Sequence, residues 1–259
     1  LLEGPPGTAK TLLARAVARA VGGVFHRVQF TPDTQASEII GHVVRRNGSD
    51  EFEKGPLFTN VFLADEVNRG PALTQAALLE AMQERHVTMR GRTYWIDAPF
   101  VVVATQNPYE HNGVFPLAES QLDRFLVKIE IGYGSEEDEL AVLQLPHRGI
   151  LTDVIGDIFP FLANGGLLQV QDVVDATVVP TEVARRIASI VRYTRTADGV
   201  ELGASPRAAI HLLAATKARA TLQGRRTVEQ HDVDSTAELV LTHRMIAADA
   251  AAVVRDALR

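Results

Sequence analysis

Eight residues near the start of the chain, Gly4-Pro5-Pro6-Gly7-Thr8-Ala9-Lys10-Thr11, restrict its fold more than any other stretch. Apolar Leu1-Leu2 precede them, and apolar Leu12, Leu13, Ala16, Val17 and Ala20 follow at helical spacing, so the expected order is strand, tight loop, helix. Glycines in such a loop let backbone N–H groups turn inward at a helix amino terminus, where they cradle phosphate. Lys10 would then reach the β and γ phosphates, and Thr11 would place its hydroxyl on Mg²⁺. The plainer alternative is a Gly/Pro turn that merely starts a helix; the flanking elements and the Lys-Thr pair weigh against it. The chain departs from the G-x-x-x-x-G-K-[ST] pattern once. Ala9 stands where glycine is usual, so its methyl either crowds the phosphates or is tolerated by backbone that is already helical.

Nucleotide hydrolysis also needs a carboxylate for the metal's shell and a group to orient water. Val61-Phe62-Leu63-Ala64-Asp65-Glu66 supplies both. Four apolar residues read as a parallel strand buried on both faces, with the carboxylates emerging at its carboxyl end, where open α/β sheets bind ligands. Asp65 would hold Mg²⁺ through its water shell and Glu66 would polarise the water. A third strand, Phe100-Val101-Val102-Val103-Ala104, ends in Thr105-Gln106-Asn107-Pro108. Asn107 either hydrogen-bonds the γ-phosphate or the water, or is a turn-forming Asn-Pro dipeptide, and the residues alone leave both open.

Composition narrows the remaining classes. With 259 residues, 46% of them hydrophobic and 22% charged, the chain is expected to be globular, with one large or two small cores. No apolar run approaches the roughly 20 residues of a membrane span, and no basic-then-apolar leader opens the chain, so membrane insertion and secretion are disfavoured. The absence of cysteine removes disulfides and thiol chemistry together and fits a cytoplasmic location. Twenty-six basic against 32 acidic side chains give a formal net charge of −6, so no overall field draws the chain to nucleic acid. The eight histidines show no HExxH-like ligand spacing. The chain starts at Leu and enters a motif almost at once, which suggests a fragment that has lost its amino end.

Two longer stretches carry a specific resemblance. Residues 63–87, LADEVNRGPALTQAALLEAMQERHV, and 103–125, VATQNPYEHNGVFPLAESQLDRF, resemble the MoxR family of AAA+ ATPases, related to magnesium chelatase ATPase subunits. Alanine at position 9 also resembles that family. The likeness is densest from Gly4 to about Ile131 and continues more loosely through Leu202-Gly203-Ala204-Ser205-Pro206-Arg207. It implies that Lys10 and Thr11 are Walker A residues, Asp65 and Glu66 the Walker B pair, and Asn107 sensor 1. It further implies that Arg124 is an arginine finger supplied to a neighbouring subunit and Arg207 is sensor 2. The bland alternative for each arginine is a surface ion pair, such as Arg124 with Asp123. ATP would lie on Gly4, Pro5, Pro6, Gly7, Thr8, Ala9, Lys10 and Thr11, with Mg²⁺ at Thr11 and Asp65. The resemblance also implies a homo-oligomeric ring, hexameric in form, that remodels a protein client carrying a von Willebrand factor A domain.

The expected fold class is α/β. A P-loop αβα sandwich with a parallel sheet occupies 1–132, followed by a linker and smaller all-α lid over 133–259, with its compact bundle at about 180–259. The polar stretch from Thr31 to Pro56 reads as an insertion. A hairpin is expected from Val87-Thr88-Met89 and Thr93-Tyr94-Trp95-Ile96 around Arg90-Gly91-Arg92. Both elements either meet clients or are plain surface decoration. Helix Ala72–Arg85 should bury Leu78, Leu79 and Met82, and Val127–Ile131 should form a last, edge-like strand. Beyond it only helices are expected: Glu136–Leu145, one burying Val183, Ile187, Ile190 and Val191, one capped by Ser205 before Pro206, one marked by Val233, Ala237, Val240 and Leu241, and an Ala-rich tail over Ala247–Ala252. Asn164-Gly165-Gly166 is the expected joint. Three rivals stand beside this reading: a magnesium-chelatase-like subunit, a nucleic-acid motor and a non-hydrolysing nucleotide-gated scaffold.

Overall fold

A computed structural model describes residues 1–46, 48–109, 113–144, 155–156, 158–162 and 166–259. In chain order the elements are β1 (Leu2–Glu3), α1 (Lys10–Ala20), β2 (Phe25–Gln29), α2 (Ala36–Ile40), β3 (Gly41–Arg46), β4 (Ser49–Lys54), β5 (Val61–Asp65), α3 (Ala72–Glu84), β6 (His86–Met89), β7 (Arg92–Trp95), β8 (Val101–Gln106), α4 (Glu119–Leu122), β9 (Ile129–Glu130) and α5 (Glu136–Gln144). After these come α6 (Gly166–Asp175), α7 (Thr181–Tyr193), β10 (Val200–Leu202), α8 (Pro206–Leu222), α9 (Gln230–Leu241), β11 (Ile246–Ala247) and α10 (Ala250–Leu258). The chain divides into two compact units, Leu1–Pro116 with Glu130–Leu167, and Leu117–Ile129 with Leu168–Arg259.

The first unit is built on a parallel five-stranded sheet of order β2-β5-β8-β1-β9. Every residue of β5 is buried, as its uninterrupted apolar run requires of a strand covered on both faces. Parallel registers Gln29↔Asp65, Ala64↔Ala104 and Glu3↔Gln106 bring the carboxyl ends of β2, β5, β8 and β1 to one edge. The loop after β1 therefore leaves the sheet beside Asp65 and Thr105. Gly4 is required by close approach, since a Cβ there would lie 2.1 Å from the Ile131 carbonyl.

The helix on that loop packs differently from its apolar pattern. α1 buries Ala14 and Ala18, while Leu13 and Val17 remain 47% and 48% exposed. Small side chains let the helix lie close against β2, β5 and β8, and the larger apolar residues are turned outward. α3 buries Leu78 and Leu79 as expected, but also Thr74 and Gln75; Met82 is only half-buried. Gln75 belongs inside because its amide nitrogen donates to the carbonyls of Val67, Gly70 and Phe115. Arg85 is the left-handed cap of α3 and not its last residue.

The stretch from Thr31 to Pro56 is ordered as α2 and the β3–β4 hairpin, more regular than a polar insertion suggests. The β6–β7 hairpin turns on Arg90 and Gly91, both at positive φ, which suits a two-residue connection. The two hairpins meet: Tyr94 lies 4.2 Å from Phe52 between ring centroids, and Arg90 pairs with Asp50. The strand expected at Val127–Ile131 is confined to Ile129–Glu130.

The second unit has a core of Val183, Ile187, Ile190, Val191, Leu212, Val233, Ala237, Val240 and Leu241. Ser205 caps α8 by accepting from the Ala208 amide at 3.1 Å, with Pro206 in the first turn. Two expectations need correction here. Strands do not cease after β9, because β10 and β11 pair antiparallel. The Ala-rich tail is helical only from Ala250, where Asp249 supplies the cap through the Ala252 amide. Leu145, Asn164 and Gly165 lie outside the described residues; Gly166 opens α6.

Leu79→Ala removes a side chain that is 1% exposed and should cost about 2–5 kcal/mol in denaturant unfolding, whereas Val17→Ala should cost less than about 1 kcal/mol. Equal costs would show that α1 and α3 do not bury the faces described.

Candidate functional site

The loop between β1 and α1 takes its shape from two positive φ values, 81° at Gly7 and 59° at Ala9. Ala9 is thus left-handed (ψ 21°), so the second of the two alternatives, tolerance by right-handed helical backbone, does not hold. The glycine of the usual pattern is explained by this conformation, which an L side chain adopts at a steric cost of about 1–2 kcal/mol. The turn presents the Gly7, Thr8 and Ala9 amides, which donate to no protein acceptor among the described residues, beside the orphan amides of the first turn of α1. Lys10 folds back over the loop, with Nζ donating to the carbonyls of Gly4 (2.9 Å) and Pro5 (2.6 Å) and to Thr8 Oγ1 (3.3 Å). Burial lowers the Lys10 pKa from the ordinary lysine value, and the charges of Asp65 and Glu66 oppose that shift.

Thr11 reaches the end of β5, where its Oγ1 donates to Asp65 Oδ2 at 3.1 Å. Thr105, at the end of β8, donates to Asp65 Oδ1 at 2.5 Å and accepts from the Glu66 amide at 2.9 Å, so one hydroxyl ties both acidic residues. Arg27, on β2, places Nε 2.9 Å from Asp65 Oδ2 and a terminal nitrogen 2.8 Å from the same atom. Glu66 is left-handed at φ 56°, and its carboxylate accepts from Arg69 (3.1 Å) and Gln29 (3.4 Å). Asn107 Oδ1 accepts from the Tyr109 amide at 3.1 Å, a turn-type bond that leaves its carboxamide nitrogen without a partner among the described residues. Hard, partly anionic oxygens at Thr11 and Asp65 and a ring of inward amides suit Mg²⁺ and phosphate in donor type.

Sequence reasoning missed Thr105, Arg27, Gln29 and Arg69 as parts of this network. Arg27 and Gln29 share one face of an edge strand by period-two alternation, which from sequence is indistinguishable from ordinary solvated polarity.

Arg124 and Arg207 both belong to the second unit. Arg124 does not pair with Asp123, the bland alternative, because that carboxylate is occupied by others. Ser205 Oγ donates to both of its oxygens (3.0 and 2.9 Å), Arg244 Nε to Oδ1 (3.2 Å), and an Arg207 terminal nitrogen lies 3.7 Å from Oδ2. Arg124 Nε is buried with no hydrogen-bond partner among the described residues. Arg244 is fully buried and donates to the carbonyls of Asp123, Phe125, Leu126 and Val240, fixing the turn that carries Arg124. Burial is the main reason its pKa falls to about 10, with Asp123 opposing. His211 accepts from Arg244 at Nδ1, and burial followed by that arginine's charge lowers its pKa to about 4. His243 is lowered to about 3, chiefly by burial and then by Arg244.

Residues 1–127 match the ATPase family associated with various cellular activities (AAA), and residues 192–257 match the AAA lid domain. The chain is 44% identical over 257 residues to the Chaperone MoxR1 of Mycobacterium tuberculosis, covering 95% of this chain and 67% of that protein. It is 42% identical over 248 residues to the uncharacterized protein YeaC of Bacillus subtilis, covering 95% and 77%. Protein MoxR of Paracoccus denitrificans is 32% identical over 280 residues, covering 100% and 82%. A crystal structure from Cytophaga hutchinsonii superposes with a TM-score of 0.88 at 37% identity, covering 100% of this chain and 83% of that one.

Ala9→Gly should relieve the left-handed backbone and raise unfolding free energy by up to about 1 kcal/mol, the gain in strain exceeding the added freedom of the unfolded chain. A loss of stability would mean that the loop does not hold the conformation described. The two histidines predict a pH effect of definite sign. The unfolded rings take up protons near 6.5 but the folded ones only near 4 and 3, so their contribution to stability is intact above 6.5 and falls as pH drops below it. Between pH 6.5 and 4 His243→Gln should lose less stability than the wild type in paired denaturant titrations; parallel curves would refute the buried neutral ring.

Proposed function

The chain belongs to the MoxR family of AAA+ ATPases, and from that premise we propose that it binds ATP with Mg²⁺ on the loop from Gly4 to Thr11 and hydrolyses it to ADP and phosphate. The observation that carries this reading is the 3.1 Å bond from Thr11 to Asp65, which joins residues 54 apart in sequence into one oxygen cluster. Bound Mg²⁺ would supply positive charge to the β and γ phosphate oxygens.

The chain's own groups have the remaining work. The inward amides of residues 7 to 9 and the orphan amides of α1 orient the phosphates, and Lys10 exchanges its loop carbonyls for phosphate oxygens. Glu66 is held at the edge of the site by Arg69 and Gln29, with its backbone fixed through Thr105, and from there it takes a proton from attacking water. Asn107 offers its carboxamide nitrogen, unpartnered among the described residues, to the γ-phosphate or that water. Arg207 senses nucleotide from the lid, and Arg124 acts on the nucleotide of a neighbouring protomer, where it offsets charge developing in the transition state.

A homo-oligomeric ring, hexameric by family resemblance, follows from that role of Arg124. The work done by hydrolysis is the remodelling of a protein client, in keeping with the chaperone name of the mycobacterial relative. A client with a von Willebrand factor A domain is the partner that the resemblance favours.

Steady-state hydrolysis with Mg²⁺ across a protein-concentration series tests the reading. Specific activity should rise with assembly, Glu66→Gln should abolish turnover while keeping nucleotide binding, and Arg124→Ala should lower kcat by about 10³-fold or more. Tight ATP binding without turnover at any concentration would favour a nucleotide-gated scaffold, and a flat specific activity would remove Arg124 from its role in trans.

A further inference from the structure

Arg27 is a charged group against the nucleotide-site carboxylates that the proposed chemistry leaves without a role. Two of its nitrogens converge on one oxygen, Asp65 Oδ2, at 2.9 and 2.8 Å. That oxygen also accepts from Thr11 Oγ1 at 3.1 Å, while Oδ1 is held by Thr105. The Asp65 side chain is 10% exposed, so little water competes for it, whereas the Arg27 side chain is 41% exposed and has room to move. A guanidinium keeps its charge at every working pH. A metal at Thr11 and Asp65, whether directly or through its water shell, therefore meets a permanent positive charge on the oxygen it needs.

We propose that Arg27 and Mg²⁺ compete for Asp65 Oδ2, so that Arg27 sets how much Mg²⁺ the site demands. The proposal rests on the metal-and-nucleotide reading above and adds a positioning residue to it. The structure offers Arg27 a second acceptor on the same strand face. Its terminal nitrogen already donates to Gln29 Oε1 at 3.1 Å, and Gln29 in turn donates to Glu66 at 3.4 Å. Arrival of the metal on Asp65 would shift the guanidinium along this face toward Gln29, which brings positive charge nearer to Glu66. Two like charges cannot both hold one oxygen at close range without mutual repulsion, and the more exposed partner is the one that yields.

The test is a Mg²⁺ titration of fluorescent ATP-analogue binding to the purified chain, for wild type, Arg27→Gln and Arg27→Lys, with circular dichroism confirming the fold. Arg27→Gln should bind the analogue with a Mg²⁺ midpoint lower by roughly 2- to 5-fold, the scale of a partly exposed ion pair. Arg27→Lys, which keeps the charge but loses the two-nitrogen grip, should fall between. A wild type that responds to Mg²⁺ with a Gln variant unchanged or shifted upward would overturn the role of Arg27 and leave the metal site standing. A wild type whose binding ignores Mg²⁺ would remove the metal reading and the proposal together. If Arg27→Gln does not fold, Arg27→Lys decides: a lowered midpoint supports competition, and an unaltered one contradicts it.

Discussion

The hydrogen bonds converging on the Asp65 carboxylate are what the rest of the first unit depends on. Thr11 comes from the helix after β1, Thr105 from the end of β8, and Arg27 from β2, and all meet on one side chain at the end of the fully buried β5. Such convergence requires parallel strands in register, because only parallel neighbours bring several carboxyl ends to one edge of a sheet. The apolar run of β5 secures its interior position between β2 and β8, and an interior strand is one from which a carboxylate can be reached from both sides.

Strain is concentrated at the same place. Among the described residues, Ala9 and Glu66 are two of the four non-glycine positions at positive φ, and they flank the site from opposite elements. Each such residue costs of order 1–3 kcal/mol and persists only where surrounding bonds determine it. Thr105 fixes the Glu66 amide, and the bond from the Leu13 amide to the Ala9 carbonyl anchors the loop onto α1. The second unit shows a related arrangement built on Asp123, which gathers Ser205, Arg207 and Arg244 and so leaves the adjacent Arg124 unclaimed by its own neighbour. Glu66 and the turn carrying Arg124 are thus held by residues outside the set proposed to meet nucleotide, Thr105 and Arg69 in one unit and Arg244 in the other.

The parts of this arrangement that depend on local pattern were legible in the sequence. The loop from Gly4 to Thr11, the strand ending in Asp65-Glu66 and the lid helix burying Val183, Ile187, Ile190 and Val191 all announce themselves through spacing and turn chemistry. What depends on tertiary approach was not. The burial of Ala14 and Ala18 in place of Leu13 and Val17 follows from how close α1 lies to the sheet, which no periodicity records. The pairing of β10 with β11 joins short segments more than 40 residues apart, too brief to show alternation. Arg27 and Thr105 gain their meaning only from strand order, and Asn107 satisfies the turn while leaving the nitrogen that its other reading requires.

The most direct measurement is a crystal structure of the chain with a non-hydrolysable ATP analogue and Mn²⁺, with the metal located by its anomalous signal. One metal peak is expected beside Thr11 and Asp65, the residues that would hold it, with the phosphates against the amides of residues 7 to 11. A nucleotide bound elsewhere, or a metal remote from both Thr11 and Asp65, would contradict it.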